Sequence, residues 1–219
     1  MTKKLTAIGT AFLLAIGCAS TSDCPDKINL LPMFGGQKKC QEQIDADKEF
    51  FHWCDSIFPD RKAASQHHIN RGWDYFYANI LDTSMMRFNQ AWLLDSTNAD
   101  AYWGFGNLLG RQKKYKESLI FFDKSVKLNP DNSKVWHCAS LSYGQIFFET
   151  KDMKQLNTGI EYSKKAVQLD STNASAYGQL TALYAYFMQK DSANKYLKIT
   201  DRLDPTQINP EVRKIVTGK

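Results

Sequence analysis

The sequence predicts an all-α chain of stacked helical hairpins, and three observations point there. Residues 99–130, ADAYWGFGNLLGRQKKYKESLIFFDKSVKLNP, read as two amphipathic helices joined by a polar turn. Tyr102, Phe105, Gly106 and Leu109 share one face of the first helix; Ser118, Phe122 and Ser125 share one face of the second, which Pro130 ends. Small residues set between bulky aromatics allow two helices to approach closely. The chain also repeats its own words, LDSTNADAY at residues 94–102 and LDSTNASAY at residues 169–177, and such internal repetition marks a solenoid. Finally, 43% apolar and 13% aromatic residues over 219 positions are the proportions of a folded, well-cored protein.

The formal charge is +5, of which Lys3 and Lys4 supply two. The remaining charges are mixed along exposed helix faces, so the concentrated basic patch of a nucleic-acid-binding surface is not expected. Residues 1–17 open with that positive pair and continue through an uncharged run at residues 5–17. Such a run reaches only about 20 Å as a helix, short of the ~30 Å bilayer core, so a removable signal is expected rather than a membrane span. Ala15 and Gly17 before Cys18 resemble a bacterial lipobox, although Ala15 stands where Leu is usual. That resemblance implies cleavage before Cys18 and membrane attachment through lipid on it; an ordinary signal cut after Ala19 is the alternative.

Residues 18–37 have the composition of a tether, with Ile28, Met33 and Phe34 apolar enough for part of it to pack on the helical body. Pro32, Gly35 and Gly36 argue against regular structure there. Residues 38–58 form a leading helix, with Cys40, Ile44, Phe51, Cys54 and Phe58 on one stripe and Pro59 closing the segment. Its expected job is to cap the first repeat. Cys40 and Cys54 lie about 21 Å apart on an intact helix and cannot bond each other. One bridge from Cys24 to Cys40 or to Cys54 is expected in an exported protein, with Cys138 a small buried hydrophobe. His52, Cys54, His67 and His68 are close in sequence but lack a recognised metal-ligand spacing, and no metal is expected.

The second repeat, residues 99–132, matches the pattern W-x2-L-G-x2-Y, A-x3-F and P, and thereby resembles the tetratricopeptide repeat family. The resemblance implies a right-handed α-solenoid of about four repeats over residues 65–207: 65–98, 99–132, 133–173 and 174–207. In the first, His68 replaces the large aromatic and Arg71 the Leu, consistent with an end repeat. The third has forty-one residues rather than thirty-four, about one extra turn on each helix, predicting a protruding hairpin with its tip near Thr150 to Asp152. Residues 208–219 supply a C-terminal capping helix through Val212, Ile215 and Val216.

In this family the first helix of each repeat lines a concave groove. Carried over, the groove positions are Gln66, Ile69, Trp73 and Phe76; Asp100, Trp103, Asn107 and Gly110; Lys134, His137, Leu141 and Gly144; and Ser175, Gly178, Ala182 and Ala185. The candidate partner-binding residues are Trp73, Phe76, Trp103, Asn107, Lys134 and His137, because tryptophan concentrates binding energy. Some members hold an acidic chaperone tail with a Lys/Asn/Arg clamp; Trp103, Asn107, Cys138, Ser175 and Gln179 occupy those positions, and only Asn107 fits. No phosphate loop, nucleophile elbow or paired metal motif is present, so neither catalytic residues nor a cofactor are expected. The reading is a lipid-anchored envelope scaffold binding a protein or peptide in its groove. The alternative is a structural protein whose groove holds its own N-terminal segment.

Overall fold

A computed structural model describes residues 24–218. The expected signal segment, residues 1–17, and the expected lipidation position, Cys18, lie outside those residues. Among the described residues ten α-helices follow two short 3-10 turns, Ile28–Leu30 and Pro32–Gly36: α1 (Gln41–Ile57), α2 (Arg61–Tyr77), α3 (Leu81–Leu94), α4 (Ala99–Arg111) and α5 (Tyr115–Leu128), then α6 (Ser133–Thr150), α7 (Met153–Leu169), α8 (Ala174–Tyr186), α9 (Lys190–Leu203) and α10 (Pro210–Thr217). Helices α2 with α3, α4 with α5, α6 with α7 and α8 with α9 pair as hairpins that stack in chain order. No described residue lies in a strand, and no described helix is long and apolar enough to cross a membrane.

The repeated words acquire a physical meaning as helix starts. Asp95 Oδ1 accepts hydrogen bonds from the Thr97 backbone N–H and hydroxyl, Asp170 does the same with Thr172, and Asp204 with Thr206. Asn98, Asn132 and Asn173 then cap α4, α6 and α8 by accepting from a backbone N–H in the first turn. Each hairpin turns over in the same way, with one residue in the left-handed region: Asn79, Lys113, Lys151 or Met188.

Close approach within the stack depends on missing side chains. A Cβ on Gly72 or Gly104 would stand 2.6 Å from the Phe88 ring, and one on Gly106 would stand 2.5 Å from Phe122. Buried serines satisfy carbonyls across the same contacts. Ser84 Oγ donates to Gly72 O at 2.9 Å, Ser125 Oγ to Ala99 O at 2.9 Å and Ser140 Oγ to Gly159 O at 2.7 Å.

The extended third hairpin has eighteen residues in α6 and seventeen in α7, against thirteen and fourteen in α4 and α5. Its tip falls at Lys151 and Asp152. At the far end, Val212 and Val216 of α10 join the core formed by Leu180, Leu183 and Leu197, while Ile215 faces solvent.

In the N-terminal region Ile28, Met33 and Phe34 pack on the helical body as their apolar character suggests, and the leading helix departs from expectation. Residues 24–37, read as a tether, fold back on α3. Asn89, 1% exposed, donates from Nδ2 to Asn29 O and Leu31 O, both at 2.9 Å, and Phe34 packs on Trp92 with ring centroids 6.2 Å apart. The described part of this segment therefore lies on the second helix of the first hairpin and does not fill the groove. Cys24 bonds Cys40 with Cα atoms 5.1 Å apart, pinning the segment to the start of α1, while Cys54 is buried and free. The leading helix also touches the body through only half its length. Phe50, Phe51, Cys54 and Phe58 pack on Ala64 and Leu94, whereas Ile44, on the same expected stripe, is exposed. The groups facing this seam explain why the stripe shifts: Phe50 stacks edge-on against His68 at 5.3 Å.

Candidate functional site

Helices α2, α4, α6 and α8 present their groove faces to a continuous concave surface. At its N-terminal end is a cleft of about 440 Å³ lined by Trp73, Phe76, Trp103, Asn107, Lys134 and His137. The six candidate residues read from the repeat register thus share one cleft. Trp73 and Trp103 meet with ring centroids 4.3 Å apart, tilted by 51°. Trp73 also packs edge-on against Phe76 at 5.3 Å and the core ring of Phe88 at 5.2 Å. Neighbouring hairpins bring the two tryptophans together, and neither leans on the leading helix.

Polar groups fix the floor. Trp103 donates from Nε1 to Cys138 Sγ at 3.5 Å, and Asn107 donates from Nδ2 to Trp103 O at 2.8 Å. Burial pushes the Cys138 thiol up, away from the reactive thiolate form. Burial also lowers His137 to about 4, leaving a neutral imidazole whose Nδ1 has no hydrogen-bond partner. Behind the lining residue Lys134, burial raises the Asp100 carboxyl, opposed by the Lys134 ammonium. Asp170 is instead held below the usual carboxylate range, first by the Thr172 hydroxyl and backbone and then by Lys134.

Tyr77, Asp170, Asn173 and Ser175 complete the cleft. Ser175 is a register position, but the other three were missed. Tyr77 is the last residue of α2, one beyond Phe76, and Asp170 and Asn173 belong to the repeated LDSTN word before α8. That word marks the repeats by its recurrence, which says nothing of the groove face. Ile69 is corrected in the other direction: it is 1% exposed and lies in the core with Met85 and Phe88, not on the groove face.

Two further clefts continue the surface. One of about 390 Å³ runs past Gly110, Arg111 and Leu141; the other, about 240 Å³, is bounded by Gly178, Ala182 and the C-terminal residues Gln207 and Val212. There a Cβ on Gly178 would stand 2.5 Å from Gln207 O, and Ser175 Oγ donates to Gln207 Oε1 at 2.6 Å. The chain's own C-terminal segment closes that end. Among the described residues no group of three or more His, Cys, Asp or Glu could hold a metal ion.

Residues 99–132 match the family model of the tetratricopeptide repeat. A comparison with curated protein sequences finds no match. Among solved structures the chain is similar to YrrB, described as a TPR protein with an unusual peptide-binding site, at 20% identity and TM-score 0.57, covering 76% of this chain and 79% of that one. It is similar to TTC0263, a thermophilic TPR protein of Thermus thermophilus, at 17% identity and TM-score 0.59, covering 69% of this chain and 79% of that one. It is also similar to MamA of Desulfovibrio magneticus RS-1, at 18% identity and TM-score 0.54, covering 77% of this chain and 89% of that one. The chain carries a tetratricopeptide repeat at residues 99–132, and its described body folds as an α-solenoid of tetratricopeptide hairpins.

Proposed function

We propose that this chain is a non-catalytic scaffold of the bacterial envelope, lipid-anchored through Cys18, that binds a protein or peptide partner in the N-terminal half of its groove. The observation that carries the reading is the Trp73–Trp103 pair, with centroids 4.3 Å apart at the head of an open cleft. Half-buried tryptophans in a concavity concentrate binding energy, because they bury large area with few rotatable bonds. YrrB, a TPR protein of similar fold described as having a peptide-binding site, supports peptide binding as a use of this fold. The lipobox-like residues before Cys18 support the anchor, and the mixed surface charge supports a protein rather than a nucleic-acid partner.

The test is site-specific photo-crosslinking in native cells. A photoreactive residue replacing Tyr77 should yield a discrete protein adduct that disappears in the Trp73→Ala/Trp103→Ala background. The same probe at Ile120, exposed on α5 and outside the cleft, should yield none. Adducts at Tyr77 that survive the double substitution would overturn the groove reading. Membrane fractionation of Cys18→Ala tests the anchor separately, and unchanged membrane retention would sink it.

A further inference from the structure

Each end of the solenoid carries half a hairpin. At the C-terminal end, α10 begins with the chemistry that starts the other first helices. Asp204 makes its turn with Thr206, and Asn209 caps by accepting from Glu211 N. Helix α10 packs on both α8 and α9, as α8 packs on both α6 and α7. It therefore stands where the first helix of a fifth repeat would stand, and among the described residues no second helix follows it. At the N-terminal end, α1 enters α2 through a short link and packs on it, as α3 does on α4. Helix α1 is thus placed as the second helix of a repeat, and no first helix precedes it among the described residues. One end lacks what the other supplies.

Both halves leave apolar surface open. Ile215 of α10, 50% exposed, borders a cleft of about 200 Å³ with Ala185, Met188, Ala193 and Val216. On α1, Phe50, Cys54 and Phe58 turn to the body, while Glu42, Glu49, Trp53 and Ile57 share an exposed stripe away from it. That stripe is held in place even where the helix leaves the body. Cys24 bonds Cys40 at the N-cap, Gln43 Nε2 donates to Pro25 O at 2.9 Å, and Lys39 pairs with Asp47 at 2.6 Å. Charge separates the two ends. Helix α1 has five carboxylates and one lysine, whereas α9 and α10 together have six cations and three carboxylates. Among the described residues, Glu42 and Glu49 on α1 and Lys190 at the cleft make no ion pair. We propose that α1 of a second copy docks on the α10 cleft, so that copies join head to tail and each junction completes one hairpin. The docking face and the receiving face differ, so the contact continues from copy to copy rather than closing as a two-fold dimer. It uses no residue of the aromatic cleft and stands apart from the groove reading.

Thiol crosslinking of the full chain in native cells tests the junction, with a bismaleimide as the probe and the parent chain as the blank. Ile57→Cys and Ile215→Cys are substitutions at exposed positions that leave the cores intact. A chain carrying both should give a ladder of dimers, trimers and longer species. Chains carrying one each, co-expressed with different tags, should give a mixed dimer, and either alone should give none. Absence of the ladder and the mixed dimer overturns the proposal. A homodimer from either single variant also overturns it, because that product requires a two-fold contact. Ile120→Cys, exposed on α5 away from both ends, controls for collision. With Ile215→Cys it should give no dimer, and a yield equal to that of Ile57→Cys would overturn the junction. Glu42→Lys/Glu49→Lys sets like charges against the cationic end and should lower the ladder at least about fivefold. An unchanged ladder would remove the complementarity on which the proposal stands, and overturn it.

Discussion

The two ends of the groove are built on one helical register and come out differently. At the N-terminal end the register positions carry Trp73, Phe76 and Trp103, and the cleft stays open at about 440 Å³. At the C-terminal end they carry Gly178 and Ala182, and Gln207 and Val212 pack beside them, leaving about 240 Å³. Large side chains prop a concavity open, whereas small ones leave apolar surface that the chain covers with its own tail. The recognition proposed above thus falls in the aromatic half, while the C-terminal half is packed by the chain itself.

The largest expected effects come from the cores beneath each end. Phe88 supports Trp73 and receives Gly72 and Gly104, so Phe88→Ala should cost about 3–5 kcal/mol in denaturant unfolding and disorder the aromatic cleft. Leu180→Ala, its counterpart beneath the closed end, should cost about 2–5 kcal/mol and leave the Trp73 and Trp103 indole resonances in place. Equal disturbance of those indoles by both variants would erase the division between the halves.

Next in size is a pH effect. His68, 3% exposed with neither ring nitrogen paired, is lowered to about 4 by burial, then by His67 and Arg87, and His137 is lowered to about 4 by burial. The unfolded chain, with ordinary histidine values near 6.5, binds more protons than the folded one between pH 6.5 and 4. Stability should therefore be full above about pH 6.5 and fall as pH drops through that window, by roughly 1–3 kcal/mol per histidine. His68→Leu should remove its share of the slope in unfolding curves recorded from pH 7 to 4, and an unchanged slope would contradict the assignment.

Smaller still is a matched pair of glycine substitutions. Gly178→Ala drives a Cβ to 2.5 Å from a backbone oxygen and should cost about 1–3 kcal/mol, with faster amide exchange at Ile208 and Val212. Gly110→Ala meets nothing within 4 Å and should be neutral or stabilise α4 by up to about 1 kcal/mol. Similar exchange at the C-terminal segment in both would mean that the tail does not close the groove there.

The legible parts of this molecule are those set by local chemistry. Asn caps, Asp–Thr turns and the glycine–phenylalanine contacts recur at fixed spacing, so helix pairs, repeat register and the lengthened third hairpin could be read directly. The register also gathered Trp73, Trp103 and Lys134 on one face. Long-range choices were hidden. Asn89 reaches Asn29 and Leu31 across about sixty residues, so nothing near either end reveals that residues 24–37 lie on α3. Ile69 was misassigned because in this end repeat the groove position packs into the core with Met85 and Phe88. The part of Asp170 and Asn173 in the cleft was masked by the capping chemistry that they also perform.

The central claim is that the aromatic half of the groove carries recognition. Its most direct measurement is the affinity of the partner captured through Tyr77 for the parent protein and for Trp73→Ala/Trp103→Ala, with folding followed by thermal unfolding. The account predicts affinity lower by at least about thirtyfold, in a variant that still unfolds cooperatively. Unchanged affinity accompanied by lowered stability would contradict it, and would make the two tryptophans packing residues only.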